Sequence, residues 1–192
     1  MFMNVIFTIP RLNENPLISG INVNIIRNKL NHDQRKLLIG LIGELISFHV
    51  YEQLGYKIVK STNTFDRIKD AVVNDKYLME VKTVIRQTFG PAVTLDASQF
   101  KKWDKADYRV FVVVPHEKII SDKPHLDNTI RVFQCIDYKN CSIEHGVNGV
   151  YRRYWLHSLD LINTIIDQHL FEIMFELSTS SYKTTTETER VI

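Results

Sequence analysis

Apolar residues recur at helical spacing over the segment that follows Asp33. Steps of three and four positions place side chains on one face of an α-helix. We therefore predict a helix that Asp33 caps and that ends at Gly55. Its predicted apolar face consists of Leu37, Leu38, Leu41, Ile42, Leu45, Phe48 and Tyr51.

Several shorter segments downstream are rich in β-branched residues, which are typical of strands. Gly90 and Pro91 interrupt the chain among them, and Asp96 or Ser98 begins a short helix that reaches Lys105. The order from Asp33 onward is thus helix, strand, strand, strand, helix, strand. The predicted strands are residues 56–60, Ala71–Val73, 77–84 and 109–114.

The chain beyond Pro115 predicts a further strand at residues 130–136, a polar stretch at about 140–148 and an amphipathic helix at about 158–176. Short apolar runs alternate with Asn and Pro in residues 1–31, which predicts an irregular or β-rich segment. Residues 178–192 are mostly Ser, Thr, Lys and Glu, which predicts a flexible tail. We therefore expect one domain over residues 1–177, with a core at about 33–115 and an α/β fold.

Glu80 and Lys82 share one face of the third strand, because alternate side chains of a strand point the same way. The length of the preceding turn decides whether Asp70 joins them. A two-residue turn sets Asp70 opposite Met79, whereas a three-residue turn, residues 74–76, sets it opposite Glu80. We expect the three-residue turn, because it brings two carboxylates together.

Two carboxylates held across a hairpin repel each other unless a cation or a proton lies between them, and their oxygens suit Mg²⁺. Such an ion polarises a phosphodiester and lowers the pKa of a coordinated water, and the Lys82 ammonium could orient that water. A Glu-x-Lys triplet alone is weak support, because about one occurs by chance in a chain this charged. The alternative is a solvated salt bridge.

Glu44 interrupts the apolar stripe of the first helix. A carboxylate on a buried face is costly unless it is paired, protonated or bound to a metal. The small residues Gly40, Gly43 and Ser47 would let this helix approach a sheet closely. Glu44 therefore either belongs to the same site or lies at the edge of the stripe, where it reaches solvent or pairs with a lysine.

This order of elements, with Glu44, Asp70, Glu80 and Lys82 at these places, resembles the PD-(D/E)XK nuclease superfamily, which includes type II restriction enzymes, Holliday-junction resolvases and RecB-type nucleases. The resemblance covers about residues 33–115. It implies an αβββαβ core with a mixed central sheet flanked by helices, to which this chain adds a C-terminal strand and helix.

The resemblance also implies the roles of individual residues. Asp70, Glu80 and Val81 would bind Mg²⁺, with Mn²⁺ as a substitute, and Glu44 would join them directly or through water. Lys82 would act on the attacking water. The products would be a 5′-phosphate and a 3′-hydroxyl.

Three positions depart from the family pattern or compete with it. Lys69 stands where the family name has proline, and Asp66 competes with Asp70 for the role of first carboxylate. Gln99 and Trp103 are similar to the Gln-x-x-x-Tyr of RecB-type nucleases, with Trp in place of Tyr. The alternative for this last pair is a short helix with Trp103 in the core.

Basic residues near the proposed site could neutralise DNA phosphates, or could simply form a solvated helix face. Arg152 and Arg153, among aromatic residues, form a second basic patch, which core packing would explain equally well. The candidate DNA contacts are Gln99, Lys101, Lys102 and Arg86, and Lys105 and Arg109 lie nearby in the sequence.

Together these features favour a Mg²⁺-dependent DNA endonuclease, most like a small type II restriction enzyme. A homodimer would supply the two active sites that cutting a duplex requires. The alternatives are a junction-resolving or repair nuclease, and a DNA-binding module on the same fold that does not cut.

Composition changes this picture little. The formal net charge of +2 neither requires nor excludes a nucleic-acid partner. Cys135 and Cys141 have no zinc-type spacing, so we expect reduced thiols. No apolar run is long enough to span a bilayer, and residues 1–10 lack the basic region and small-residue cleavage site typical of a signal peptide. We therefore expect a cytoplasmic protein without a membrane partner.

Overall fold

The computed structural model describes residues 16–19, 30–61, 69–86, 92–115, 129–147 and 149–179. In these ranges the α-helices are α1 (Pro16–Ser19), α2 (His32–Gln53), α3 (Ala97–Trp103) and α4 (Gln168–Thr179), and Leu156–Ser158 is a 3₁₀ turn. The strands are β1 (Ile58–Lys60), β2 (Ala71–Val73), β3 (Tyr77–Arg86), β4 (Ala92–Asp96), β5 (Tyr108–Pro115), β6 (Ile130–Gln134), β7 (Ser142–Gly146), β8 (Gly149–Trp155) and β9 (Asp160–Ile165).

The strands form two sheets. The larger has the order β1-β2-β3-β5-β6-β9, and the smaller has the order β4-β8-β7. Within the larger sheet β3 and β5 are parallel, whereas the other neighbouring pairs are antiparallel. Parallel neighbours need a crossover connection, and here β4 and α3 lie on it. The predicted α/β class with a mixed sheet is confirmed.

Each face of the larger sheet packs against its own hydrophobic cluster. On one face, Ile42 and Ile46 of α2 pack with Val81 and Val112 of the sheet, together with residues of α4. On the other face, Trp103 of α3 joins the residues contributed by the smaller sheet. The central strands are therefore covered on both sides, which explains their nearly continuous apolar composition.

Helix α2 approaches β3 closely at Gly43. A Cβ at this position would lie 1.8 Å from Thr83 Oγ1, so only glycine fits this contact. The Ser47 hydroxyl donates a hydrogen bond to the Gly43 carbonyl at 3.0 Å. The predicted close approach is thus confirmed at Gly43, whereas the hydroxyl of the buried Ser47 is satisfied within the helix. Gly40 takes no part in this approach, since nothing would lie within 4 Å of a Cβ there.

The first helix begins two residues earlier than predicted. Asn31 rather than Asp33 is the N-cap, and its side chain accepts a hydrogen bond from the Gln34 backbone at 2.9 Å. In return, the Gln34 side-chain oxygen accepts a hydrogen bond from the Asn31 backbone N–H at 3.0 Å, which completes a capping box. At the other end, Gly55 has a φ of 88° and follows the helix as predicted.

The buried face of α2 is also rotated from the predicted one. Leu37 is 48% exposed, whereas Ile42, Ile46 and Val50 are fully buried. Leucine and isoleucine occur around most of this helix, so the spacing of apolar residues alone did not determine which side meets the sheet. The position of the sheet determines it.

The predicted helix at about 158–176 is wrong over its first half. Residues 160–165 form β9, an edge strand paired with β6, because β-branched residues such as Ile162, Thr164 and Ile165 favour strands. Helix α4 starts later, where Asp167 accepts a hydrogen bond from the Leu170 backbone at 2.9 Å.

Other parts of the prediction need smaller corrections. Strand β4 was not predicted, and the polar stretch at about 140–148 contributes to the hairpin of β7 and β8. Most of the predicted irregular start and nearly all of the predicted tail lie outside the described residues. Cys135 is buried and Cys141 is half-buried, and both are free thiols. No helix in the described ranges combines the length and apolar character needed to cross a membrane.

Candidate active site

The turn between β2 and β3 contains three residues, as predicted. Ala71 pairs with Met79 and Val73 pairs with Tyr77, which leaves residues 74–76 as the turn. Asn74 and Asp75 have φ values of 51° and 59°, and these residue types tolerate this conformation better than most. Continued by one residue, this register sets Asp70 beside Glu80.

Asp70 is held beside β3 by two hydrogen bonds. Its backbone N–H donates to the Met79 carbonyl at 2.9 Å. Its Oδ2 accepts from the Val81 backbone N–H at 2.7 Å. The backbone of Val81, a residue that the resemblance assigns to the metal site, therefore already positions the first carboxylate.

The second carboxylate, Glu80, is completely buried. Its Oε1 contacts the ammonium of Lys82, the neighbour two positions along the same strand. Its Oε2 has no hydrogen-bond partner in the described structure. Burial raises the pKa of the Glu80 carboxyl, with Asp70 adding to the rise and Lys82 opposing it. The site thus contains a buried carboxylate oxygen that can still accept a ligand.

Lys102, from the last turn of α3, reaches both carboxylates. Its Nζ lies 3.3 Å from Asp70 Oδ1 and 3.4 Å from Glu80 Oε2. Burial lowers the pKa of Lys102, but the two carboxylates outweigh burial and the pKa is raised. Sequence analysis assigned Lys102 to DNA and missed this role. No signal in the sequence links it to Asp70, because only the crossover connection of the sheet brings them together.

Glu44 on α2 belongs electrostatically to the same group. Its side chain is half-buried, and burial together with the negative charge of Asp70 raises its pKa to about 7. Glu80 acts in the same direction, whereas Lys102 and Lys82 oppose the shift. The charges of Asp70, Glu80, Lys82 and Lys102 therefore act on the Glu44 carboxyl, and its membership of one metal site with them stays a prediction.

The proposed pair Gln99 and Trp103 has structural roles. Gln99 completes a capping box with Asp96. The Asp96 side chain accepts a hydrogen bond from the Gln99 backbone N–H at 2.8 Å, and the Asp96 backbone N–H donates one to the Gln99 side chain at 3.0 Å. Trp103 is fully buried and packs on Phe111, with ring centroids 4.4 Å apart. The core interpretation therefore holds for Trp103, while Gln99 is exposed and its contact with DNA stays a prediction.

The other basic candidates divide into exposed and structural residues. Lys101 and Lys105 are exposed on or just after α3. Arg109 is buried and its Nε donates to the Trp103 carbonyl at 2.7 Å, so it is not a surface cation. The side chain of Arg86 and all of Asp66 lie outside the described residues.

The second basic patch consists of Arg152 and Arg153 on β8, and both side chains contact other parts of the protein. The guanidinium of Arg152 lies 3.5 Å from the ring centroid of Phe100. Arg153 pairs with Glu144 at 2.8 Å. Of the neighbouring aromatic residues, Tyr154 is fully buried and Trp155 is partly exposed. Core packing explains most of this patch.

A preassembled metal site is absent from the described residues, since no three His, Cys, Asp or Glu side chains are grouped closely enough to hold an ion. Two observations still fit a cation. Asp70 and Glu80 both contact one positive group, the Lys102 ammonium. Glu80 also keeps a buried oxygen without a hydrogen bond. Hard carboxylate oxygens of this kind are the ligands that Mg²⁺ prefers.

A pocket of about 660 Å³ lies elsewhere, against four tyrosines. Tyr51, Tyr56 and Tyr108 pack mutually, with ring centroids 5.5 to 5.7 Å apart, and Tyr77 contacts Tyr108. None of the proposed catalytic residues lines this pocket. It is therefore separate from the carboxylate site.

No protein-family model matches this chain, and no curated protein or solved structure matches it significantly. The class of protein must therefore be argued from the chain's own residues and their geometry.

Proposed function

We propose that this chain is a divalent-metal-dependent DNA endonuclease. The observation that carries the proposal is the grouping of Asp70, Glu80 and Lys82 around the β2–β3 hairpin, within electrostatic reach of Glu44. The three-residue turn supports it further, because a shorter turn would have separated the two carboxylates. The proposed class is the PD-(D/E)XK nucleases, and within it a small type II restriction enzyme.

Asp70 and Glu80 would hold the metal, which is Mg²⁺ or its substitute Mn²⁺, with Glu44 at its border. When bound, the ion polarises the phosphodiester and lowers the pKa of a coordinated water. Val81 contributes through its backbone N–H, which fixes the orientation of Asp70. Oε2 of Glu80 has no hydrogen bond and contacts only the Lys102 ammonium, at 3.4 Å, so it is the Glu80 oxygen most available to a ligand.

Lys82 would orient the attacking water, and Glu44 would accept a proton from it. The Lys82 ammonium is held by Glu80 and can donate to a water or to the phosphate as negative charge develops there. Glu44, with a pKa of about 7, is able to take up a proton at neutral pH. The water oxygen would bond to phosphorus while the water loses a proton to Glu44, and the bond between phosphorus and the 3′ oxygen would break. That oxygen would take up a proton from solvent, which gives a 5′-phosphate and a 3′-hydroxyl.

DNA is the proposed substrate and partner. Lys101 and Lys105 are exposed close to Lys102, which lies in the site, so they can contact phosphates flanking the scissile bond. Such contacts would make binding strongly dependent on salt. A homodimer would cut both strands of a duplex.

The test is cleavage of supercoiled plasmid, linear duplex, single strand and a four-way junction, each with Mg²⁺ and with EDTA. Wild type should cut with Mg²⁺, and Asp70→Asn and Lys82→Met should not cut although they remain folded. Asp75→Asn is the matched control, because Asp75 lies in the same hairpin but forms an exposed pair with Lys57. A wild type that cuts none of the substrates contradicts the proposal.

The substrates also separate the related alternatives. Cuts at fixed plasmid sites support a restriction enzyme, whereas cuts confined to the junction support a resolvase. A non-catalytic DNA-binding module is the second candidate, and the contact of both carboxylates with the Lys102 ammonium favours it. Such a module would retain DNA affinity in EDTA and never cut.

A further inference from the structure

Lys102 occupies the point that the two proposed metal-binding carboxylates share. Its Nζ lies within 3.4 Å of an oxygen from each of them. Lys82, the lysine of the Glu-x-Lys triplet, contacts Glu80 through the other oxygen. The two lysines therefore divide the Glu80 carboxylate between them, and only Lys102 also contacts Asp70.

The contacts of Lys102 neutralise the carboxylates without using all of their acceptors. Its distance to Glu80 Oε2 is 3.4 Å, and that oxygen has no hydrogen bond in the described structure. Lys102 donates a hydrogen bond to Asp70 Oδ1 at 3.3 Å, whereas its contact with Glu80 Oε2 is electrostatic. An ammonium is a compact charge on a flexible stem. Another cation could therefore take its place.

The backbone that carries Lys102 is fixed, whereas its side chain is free to withdraw. Asp96 caps the start of α3, and Trp103 anchors the end of the helix in the core. The Lys102 side chain is 25% exposed, so its ammonium has a route to water. Movement of this one side chain requires no repacking of the helix.

We propose that Lys102 is a built-in counter-cation, which stands between Asp70 and Glu80 in the metal-free protein and sets the metal affinity of the site by competing with the ion. This inference rests on the proposed function, because it concerns the same two carboxylates. A divalent ion enters when the ammonium withdraws, since two cations cannot share this space without strong repulsion. Lys102 is thus a positioning residue that tunes metal binding.

The test measures binding of Mn²⁺ and of Mg²⁺ by calorimetry without nucleic acid, so that no activity is needed. Lys102→Met keeps most of the length of the side chain and removes its charge, and it should bind Mn²⁺ at least about tenfold more tightly than wild type. Lys101→Met is the matched control, because it makes the same charge change in the same helical turn on an exposed residue. It should bind like wild type.

Each outcome decides the proposal. Equal or weaker binding by folded Lys102→Met overturns it, even if wild type cuts DNA. Tighter binding supports it, even if wild type cuts nothing, in which case only the nuclease proposal fails. If neither protein binds either ion, both proposals fail.

A measurement on wild type covers the case in which Lys102→Met does not fold. The ε-methylene NMR signal of Lys102, assigned with Lys102→Arg, should shift during Mg²⁺ titration with the same midpoint as binding. The corresponding signal of Lys101 should stay in place. Binding of the ion without a shift at Lys102 overturns the proposal.

Discussion

Glu80 and Arg109 are paired neighbours on the parallel strands β3 and β5, and both are buried, yet their surroundings differ. The Arg109 guanidinium donates to the carbonyls of Trp103 at 2.7 Å and Asp104 at 3.2 Å. It also covers the ring of Tyr138 at 3.8 Å. Glu80 contacts only ammonium groups among the described residues, and one of its oxygens lacks a hydrogen bond.

Arg109 thus carries a structural charge, whereas Glu80 carries a charge that a ligand can use. Arg109 satisfies carbonyls at the end of α3 and so holds the crossover connection against the sheet. Glu80 could have paired with Arg109, but in the described structure no ion pair joins them. A buried charge whose partners come from the backbone stabilises the fold, whereas one left with a free acceptor is available to a ligand.

The largest expected effect comes from removing the charge of Glu80, and it is on catalysis. Glu80→Gln keeps the shape of the side chain but removes the charge that would hold the metal, so cleavage should fall by about 10²- to 10³-fold or more. The free energy of unfolding in urea should change by no more than about 1 kcal/mol, because Lys82 and Lys102 are partly exposed and can be hydrated. A large loss of stability would instead make Glu80 a structural residue.

Arg109→Met should show the opposite profile. Leaving the buried Trp103 carbonyl and the part-buried Asp104 carbonyl without their charged donor should lower the free energy of unfolding by about 3 kcal/mol. Arg153→Met is the control, because its pair with Glu144 is partly exposed and is worth no more than about 1 kcal/mol. Urea unfolding of the two variants measures the difference, and similar values for both would refute the structural role of Arg109.

The position of Glu44 beside the site depends on the glycine that precedes it. Gly43→Ala would drive a methyl group into Thr83 Oγ1, so α2 must move from β3 at a cost of about 2 kcal/mol. Gly40→Ala is the matched control, since nothing lies near its Cβ; it should stabilise the protein by about 0.5 to 1 kcal/mol. Thermal unfolding that fails to separate the two variants would contradict this packing.

The smallest expected effect is a pH dependence. The pKa of Glu44 is raised from 4.5 to about 7 in the folded protein, so the folded state retains a proton that the unfolded state releases. Its contribution to stability is therefore complete below about pH 4.5 and is lost as the pH rises to about 7. In EDTA, wild type should lose about 1 to 2 kcal/mol across this window relative to Glu44→Gln. Parallel pH profiles for the two proteins would exclude the shift.

The sequence anticipated local features well. The three-residue turn at residues 74–76 was predicted because it unites two carboxylates, and the observed register confirms it. Asp96 or Ser98 was predicted to begin α3, and the structure shows Asp96 as the cap, with its side chain accepting from the Gln99 backbone at 2.8 Å. Such interactions depend on nearby residues, so their signals are present in short stretches of the chain.

Features that depend on distant elements were predicted less well. Leu37 was placed on the buried face of α2, although it is 48% exposed. Residues 160–165 were placed in a helix, although they form a strand. In both segments the spacing of apolar residues does not show which side chains meet the sheet. Arg109 was grouped with surface cations, although the end of α3 encloses it. These errors concern which neighbour a side chain meets.

The amino-acid sequence by itself determined the β2–β3 hairpin, the shared face of Glu80 and Lys82, and Asp70 at the hairpin's base, because backbone periodicity and turn chemistry are local. Only the tertiary structure decided that Lys102 stands between the two carboxylates. A crossover connection brings α3 over the sheet, and no pattern within the chain encodes that distance of 3.3 Å from Asp70.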